Sequence, residues 1–339
     1  MKKFLLLGCL SCSIMLGSET TVNNITAVSQ QLIVDGAVIA SQDSVAVGGG
    51  ASSVQQNPLG LPNESGLVPV QTTQEFMQEQ IPEHFPRYAQ DVYGLWYFTF
   101  PTEVKRVHTL FSTKDNLEMI EPILKHHEYK GNILDCGSHI GTFSVPLASK
   151  ISGTVFSFEM QQPISLQLSM NAFLNNLDIQ VFNTALGNPQ TTEEFADLPV
   201  LNYTTEGVAS HLGAFSLLED FRQRHKLLFN KEADKKFKKV KLEKIDTFNL
   251  NNLMLVKVDV EGMDLDVIKG MQETLERSNF PPILFECHDM NSEYGKNIFS
   301  HLRSIGYVHF HQSKFSLDYI AQHNSREPLE LPAARKRLA

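Results

Sequence analysis

Between residues 132 and 311, short apolar runs alternate with longer segments in which apolar residues recur at helical spacing. The short runs predict strands at residues 133–134, 155–158, 179–182, 253–258, 282–285 and 307–310. The longer segments predict a helix over residues 164–175 and another after Gly262. Strands that alternate with helices form a parallel sheet with right-handed crossovers, so the pattern predicts an α/β fold. Ligands of such sheets bind at the carboxyl ends of the strands.

The segments outside this core differ in composition. Two lysines and a short apolar run in residues 1–18 are typical of a signal or anchor-like leader, although the run is too short to span a membrane comfortably. Residues 19–74, rich in Ser, Thr, Asn, Gln and Gly, indicate a low-complexity linker. We expect one domain over residues 75–325, with its core at 132–311, an insertion at 188–252 and a basic tail at 326–339.

Two features of the expected domain allow a structural and a functional interpretation. The aromatic cluster at residues 93–100 is expected to pack over the edge of the core, and a lid over a substrate is the alternative. The insertion is rich in Lys and Arg, which is typical of a solvated helix or hairpin face. The alternative for the insertion is a landing surface for an anionic substrate or a membrane headgroup.

Charge and cysteine content exclude two classes of function. The chain has 339 residues and a formal net charge of −9, which argues against a dedicated nucleic-acid binder. Cys9 and Cys12 lie in the leader, whereas Cys136 and Cys287 lie in predicted strands. Because this spacing does not match a zinc site, we expect the two strand cysteines to be buried free thiols.

The first core strand ends in Asp135 and turns through Gly137 and Gly141 into a helix. Gly137 is expected to let the backbone approach a ligand closely, and Gly141 to let the helix pack against the strand. Asp135 is expected to accept a hydrogen bond near a cationic amino-acid group. Ser138 and His139 lie in the same turn. His139 stands where a dinucleotide fingerprint has its middle glycine, which argues against a nicotinamide cofactor.

Acidic residues follow three further strands. Glu159 ends the second strand about twenty residues after the glycine turn, a position from which a carboxylate binds ribose hydroxyls. Strand alternation places Lys257, Asp259 and Glu261 on the same side of the strand. Two carboxyl groups this close either raise the pKa of one of them, which suits proton abstraction, or share a cation. Glu286 and His288 follow the fifth strand, and His288 is a candidate base near neutral pH.

Together these motifs resemble the FkbM family of methyltransferases. Residues 132–144 resemble its opening motif, and residues 155–159 with Asn171 and Asn175 reproduce its second segment. Residues 257–264 with Gly270 resemble its most specific signature, and Phe285-Glu286 resembles the next strand end. The resemblance implies a Rossmann-like, doubly wound, mostly parallel seven-stranded sheet with flanking helices.

The resemblance also implies an S-adenosylmethionine-dependent enzyme that methylates a hydroxyl oxygen of a small molecule, a sugar or a lipid-like acceptor. The candidate cofactor-binding residues are Asp135, Gly137, Ser138, His139, Gly141 and Glu159. The candidate residues for the acceptor, the base or a metal are Asp259, Glu261, Glu286 and His288. A divalent cation between the two strand ends is an option.

Two alternatives stay open at this point. The leader, and Ser138-His139 in place of the usual Ala-Asn of the family, allow a non-catalytic cofactor-binding or surface protein on a methyltransferase scaffold. A nicotinamide-dependent oxidoreductase is the other. The leader predicts a membrane-associated or secretory location, whereas the cofactor predicts access to cytosolic S-adenosylmethionine.

Overall fold

The computed structural model describes residues 31–34, 37–41, 87–99, 104–110, 113–190, 194–199, 216–218, 237–313 and 316–332. The chain divides into two units, Met1–Glu83 and His84–Ala339. In the first unit, β1 (Gln31–Val34) and β2 (Ala37–Ser41) form an antiparallel hairpin within the segment interpreted as a linker. The expected leader and the last seven residues of the expected tail lie outside the described residues.

The described part of the second unit begins with a hairpin of β3 (Arg87–Gln90) and β4 (Trp96–Thr99), and the helices α1 (Val104–Thr109) and α2 (Lys114–His126) follow. Asp91 closes the hairpin turn because its Oδ1 accepts the amides of Tyr93 at 2.8 Å and Leu95 at 3.0 Å. Tyr97 of the aromatic cluster is fully buried. The structure therefore packs the centre of this cluster into the protein, as the structural interpretation expected.

The remaining elements form a large sheet, a small sheet and the helices between their strands. In chain order they are β5 (Asn132–Cys136), α3 (Ser144–Ala148), β6 (Val155–Phe158), α4 (Gln162–Leu174), β7 (Ile179–Phe182), β8 (Ala185–Leu186), β9 (Phe195–Pro199), β10 (Phe237–Glu243), a 3₁₀ helix (Ile245–Phe248), β11 (Leu253–Val258), α5 (Asp264–Lys269), α6 (Gln272–Arg277), β12 (Ile283–Glu286), α7 (Glu293–Ser304), β13 (Tyr307–Gln312) and β14 (Asp318–His323).

The large sheet has seven strands in the order β13-β14-β12-β11-β5-β6-β7. The pairs β12-β11, β11-β5, β5-β6 and β6-β7 are parallel, and β14 runs antiparallel to both of its neighbours. This sheet confirms the predicted α/β fold with seven mostly parallel strands. The carboxyl ends of β5, β6, β11 and β12 consequently lie at one edge of the sheet.

Alternate side chains of the central strands pack on opposite faces of the sheet. Ile133 and Leu255 belong to one hydrophobic cluster, whereas Leu134 and Val256 belong to another. Helix α2 contributes Leu117, Ile120 and Ile123 to the first cluster. Because successive residues of a strand point to opposite faces, both faces are covered, as a parallel sheet requires.

Strand β14 lies beyond the predicted core, which ended at residue 311. All six of its residues are buried, but Asp318, Gln322 and His323 are polar, so the strand lacks the apolar pattern of the others. Distant partners satisfy these groups: Asn116 donates to the Asp318 carboxylate at 2.9 Å, and the His323 ring lies 3.0 Å from the carbonyl oxygen of Ile305. The hydropathy pattern of the sequence does not predict such hydrogen bonds.

The small sheet carries part of the basic insertion. β10 runs parallel to β8 and antiparallel to β9. The side chains of Lys238, Lys239 and Lys241 on β10 are exposed. Lys239 and Lys241 each approach an acidic side chain, Asp197 at 2.7 Å and Glu243 at 2.5 Å. These lysines form a solvated strand face, and most of the other basic residues of the insertion lie outside the described residues.

Two further observations concern the whole described chain. Cys136 and Cys287 are buried and free, which confirms the expectation for the strand cysteines. Among the helices within the described residues, none combines the length and the apolar character needed to cross a membrane.

Candidate active site

The turn after β5 touches the backbone of the loop after β11. Gly137 has a φ of +85°, and a Cβ atom there would lie 1.9 Å from the carbonyl oxygen of Asp259. The amide of Asp259 also donates to the carbonyl oxygen of Cys136 at 3.0 Å. A side chain at this position would therefore collide with the protein's own backbone, whereas the expected close approach of Gly137 to a ligand stays a prediction. The glycine brings two strand ends into contact.

Gly141 has a comparable role against a helix. Its φ is +92°, and an added Cβ would lie 2.3 Å from Cδ1 of Leu168 on α4. The close partner is thus α4, rather than the strand that the sequence analysis expected. Within the same turn, His139 has a φ of +50°, and the Ser138 hydroxyl donates to the carbonyl oxygen of Asp135 at 2.8 Å.

Asp135 has no exposed surface, and its carboxylate has protein partners. Ser144 donates to Oδ2 at 2.5 Å, and Nζ of Lys257 lies 3.5 Å from Oδ1. Burial raises the pKa of Asp135 above its usual value, and the positive charge of Lys257 opposes that rise. Lys257 therefore supplies a positive charge beside Asp135, and a contact of Asp135 with a ligand stays a prediction.

Glu159 follows β6 and is only 6% exposed. Its Oε1 accepts the amide of Gln161 at 2.8 Å, and its Oε2 accepts the amide of His139 at 3.1 Å. Burial raises the pKa of this carboxyl to about 7, although both amides favour the charged form. The turn after β5 and the acid after β6 are thus joined directly.

A pocket that is partly open to solvent lies at this edge of the sheet. Gly137, His139, Glu159, Asp259 and Glu261 line it, and all five were predicted site residues. The other lining residues are Phe158, Met160, Gln161, Thr184, Leu186, Leu217, Val260 and Met263. The structure therefore brings the predicted ribose-binding acid and two of the predicted acceptor-side acids to one cavity.

Three carboxylates converge beside this pocket. Asp259, Glu261 and Glu286 each offer an oxygen within 4.8 Å of the others. Burial, reinforced by the negative charges of Asp259 and Glu286, raises the pKa of Glu261 to about 9. Lys257 lies 3.1 Å from Asp259 and compensates part of this negative charge. Such a cluster can hold a proton at Glu261 or share a cation.

His288 stands next to Glu286, with 3.3 Å between Nε2 and Oε2. The hydrogen bond with Glu286 raises the pKa of His288, while partial burial opposes the rise. The raised pKa favours the protonated imidazolium, so the arrangement suits an acid or a charge partner of Glu286 better than the neutral base that the sequence suggested.

A family model described as the Methyltransferase FkbM domain matches residues 135–309, just over half of the chain. The chain belongs to the FkbM methyltransferase family. The match runs from the end of β5 to the first half of β13, and it contains every strand end that contributes to the pocket described above. The family resemblance read from the sequence is confirmed.

Solved methyltransferase structures are similar to parts of this FkbM chain at low identity. The methyltransferase FkbM from Methylobacillus flagellatus KT is 15% identical, with 57% of this chain and 44% of that chain covered and a TM-score of 0.34. The magnesium protoporphyrin IX methyltransferase from Synechocystis PCC 6803, solved with bound S-adenosylmethionine, is 10% identical, with 62% and 79% covered and a TM-score of 0.35. No curated protein matches the chain.

Several residues of the FkbM site were missed by sequence reasoning. Met160, Gln161 and Thr184 follow β6 and β7, so the strand-end rule could have found them. Leu217 lies in the insertion, and no local signal places it at the pocket. Tyr294, which bonds to Asp264, has no local signal either.

Proposed function

We propose that this FkbM protein is an S-adenosylmethionine-dependent methyltransferase that methylates a hydroxyl oxygen of a small molecule, a sugar or a lipid-like acceptor. The observation that carries the proposal is a single pocket lined by Glu159 after β6 and by Asp259 and Glu261 after β11. A carboxylate suited to a ribose diol and a group able to hold a proton thus share one cavity.

The residues of the pocket fit an adenosyl cofactor. Glu159 would accept hydrogen bonds from the ribose hydroxyls, because its carboxylate is fixed by two backbone amides and lines the cavity. Apolar side chains for the adenine ring are supplied by Met160, Leu186 and Val260. A positive charge on the ligand would be stabilised by Asp259 and Glu261, which also line the pocket.

When bound, S-adenosylmethionine supplies a methyl group on a positively charged sulfur, so methyl transfer breaks a sulfur–carbon bond and forms an oxygen–carbon bond. Glu261 accepts the proton that the acceptor hydroxyl loses. At neutral pH its raised pKa would keep it protonated, but a cation in the pocket lowers that pKa by the effect that Lys257 already exerts. A positive charge on the ligand therefore favours the carboxylate form of Glu261, which is the form that the reaction needs.

Binding and transfer can be tested separately. Calorimetry with S-adenosylmethionine, and with a nicotinamide cofactor for comparison, measures cofactor choice. Transfer of a labelled methyl group into a host extract, followed by mass spectrometry, identifies the product. Glu159→Gln should strongly weaken cofactor binding, whereas Glu261→Gln should keep it and lose transfer. Glu273→Gln, at a side chain that is 74% exposed, is the matched control and should change neither.

Two outcomes would contradict the proposal. If the protein does not bind S-adenosylmethionine, both the proposed cofactor and the proposed reaction are wrong. A protein that binds the cofactor tightly but transfers no methyl group to a broad panel of hydroxylated acceptors would be a binding protein on a methyltransferase scaffold.

A divalent cation is a separate proposal that rests on Asp259, Glu261 and Glu286, because hard cations prefer carboxylate oxygens. Titration of the active enzyme with a chelator tests it. Loss of turnover that added Mg²⁺ restores would support the metal, and unchanged turnover would remove it.

The leader at residues 1–18 supports a further proposal, membrane association through the N-terminus on the side where cytosolic S-adenosylmethionine is accessible. Fractionation of cells that express the full chain and a chain lacking residues 1–18 tests it. Recovery of both chains in the same soluble fraction would contradict it.

A further inference from the structure

The backbone at Glu261 is unusual for the residue it carries. Glu261 has a φ of +54°, in the left-handed region that side chains other than glycine seldom adopt. A residue keeps such a conformation only when the surrounding structure holds it there, and residues of this kind cluster at active sites. The contacts that hold Glu261 therefore decide where its carboxyl group lies.

Asp264 bonds the peptide groups on both sides of Glu261. Its Oδ1 accepts the amide of Val260 at 3.2 Å, and its Oδ2 accepts the amide of Gly262 at 3.3 Å. The carbonyl oxygen of Glu261 itself accepts the Ser216 hydroxyl at 2.6 Å. One backbone group in each of Val260, Glu261 and Gly262 is thus fixed by a hydrogen bond, while the Glu261 side chain lines the pocket.

Tyr294 holds Asp264 in turn. Its hydroxyl donates to Oδ2 of Asp264 at 2.5 Å and accepts the backbone amide of Asp264 at 3.2 Å. Asp264 is only 3% exposed, so its carboxylate depends on such protein donors instead of water. Tyr294 lies in the first turn of α7, and α7 follows the strand that ends at Glu286. The contact therefore links the loop of Glu261 to the segment after Glu286.

We propose that Asp264 and Tyr294 are positioning residues that fix the backbone of Glu261, and through it the proton acceptor of the reaction. The proposal rests on the proposed function for its catalytic meaning. Neither residue is among those that line the pocket. They act by holding the amides of Val260 and Gly262, so their loss should affect the transfer step more than cofactor binding.

Two tyrosine variants separate positioning from ordinary stability. Tyr294→Phe removes only the hydroxyl that holds Asp264. Tyr307→Phe is the matched control, because the Tyr307 hydroxyl is buried and donates to the carbonyl oxygen of Pro281 at 2.8 Å, near the amino end of β12. Asp264→Asn is a second variant, which keeps one acceptor oxygen and loses the other. Thermal unfolding shows that each variant is folded.

The expected result has two parts. Tyr294→Phe lowers kcat about tenfold, as expected when a hydrogen bond to a charged group is lost, and leaves the KM and Kd for S-adenosylmethionine within about twofold. The amides of Val260 and Gly262 also exchange hydrogen faster than in the parent protein. Asp264→Asn shows larger changes of the same kind, and Tyr307→Phe shows none of them.

Unchanged kcat and unchanged amide exchange in Tyr294→Phe would overturn the positioning proposal. So would losses that Tyr307→Phe reproduces. If the parent protein transfers no methyl group at all, the proposed function fails. Amide exchange at Val260 and Gly262 then decides by itself whether Tyr294 and Asp264 hold the loop.

Discussion

Gly137 is the residue at which two strand ends come closest. Gly137→Ala adds a Cβ that would lie 1.9 Å from the carbonyl oxygen of Asp259 and also forces a side-chain residue to a φ of +85°. We expect the free energy of unfolding to fall by about 4 kcal/mol or more, since both a clash and backbone strain are created. Urea unfolding measures the loss, and calorimetry should show weaker cofactor binding because Asp259 is displaced.

Gly94 is the matched control for this substitution. Its φ is +81°, but a Cβ there would have its nearest neighbour at 3.7 Å, the terminal amide nitrogen of Gln90. Gly94→Ala should therefore cost only the left-handed conformation, about 1–2 kcal/mol. Equal losses for the two variants would show that contact with Asp259 is not what requires Gly137.

At the scale of elements, α4 holds the β3-β4 hairpin through amide side chains on one face. Asn171 Oδ1 accepts the amide of Phe98 at 2.6 Å, and its Nδ2 donates to the carbonyl oxygen of Ile140 at 2.8 Å. Asn175 bonds both backbone groups of Trp96. The face thus supplies partners to the edge of β4 and connects the hairpin to the glycine turn.

Asn171→Ala should be strongly destabilising because it leaves buried backbone groups of Phe98 and Ile140 without partners. We expect a loss of about 2–3 kcal/mol in the free energy of unfolding. Ser169→Ala, on the same helix, removes only a bond to the carbonyl oxygen of Ser165 and should change stability by less than about 0.5 kcal/mol. Urea unfolding compares them, and similar losses would mean that the hairpin contacts contribute little.

The same elements show how far the sequence could predict the structure. Six of the seven strands of the large sheet follow from apolar runs, because a buried parallel strand needs apolar side chains on both faces. Glu159, Asp259 and Glu261 were predicted to be neighbours, because the carboxyl ends of parallel strands share an edge. Local pattern and topology are sufficient for these features.

Long-range contacts set the limit of that prediction. β14 was missed because its buried polar residues depend on partners such as Asn116, about 200 positions away in the chain. The contact of Gly137 with the backbone of Asp259 was not predicted, because only the folded sheet brings these two strand ends together. Asn171 and Asn175 were noted only for their spacing, and their bonds to β4 depend on the hairpin's position. Each of these features needs a tertiary contact that no short window of sequence contains.

At the scale of the whole molecule, the buried Glu159 makes folding depend on pH. Its pKa is about 7 in the folded protein and 4.5 in an unfolded chain. Between these values the folded protein binds the extra proton, so the stability that this group contributes is complete below pH 4.5 and is lost as the pH rises through 7. Glutamine at this position does not titrate. As the pH rises across this window, the unfolding free energy of the parent protein should therefore fall by about 3 kcal/mol relative to that of Glu159→Gln.

Urea unfolding of both proteins without cofactor, at pH values from 5 to 8, measures this difference. The histidines and the other buried acids titrate in both proteins, so their contributions cancel in the comparison. A difference that stays constant with pH would show that Glu159 is ionised throughout and that burial does not govern it.

Cofactor binding should respond to pH in the opposite direction from stability. The charged form of Glu159 accepts hydrogen bonds from ribose hydroxyls best, so affinity for S-adenosylmethionine should rise as the pH increases through about 7. Below that pH, binding must release a proton from Glu159. Near pH 8 a released proton must instead come from Glu261, whose pKa of about 9 is lowered by the positive charge of the ligand.

Calorimetry in buffers of different ionisation enthalpy counts these protons. At pH 6, Glu159→Gln should remove most of the proton release, although its weakened binding requires a high ligand concentration. At pH 8, Glu261→Gln should remove the release and leave the affinity nearly unchanged, and Glu273→Gln should match the parent protein at both pH values. Proton release that survives in Glu261→Gln at pH 8 would mean that the cationic part of the ligand binds away from the carboxylate cluster. Because Glu159 and Glu261 titrate in different pH ranges, the protons released on binding one ligand can be assigned separately to each of the two carboxyl groups.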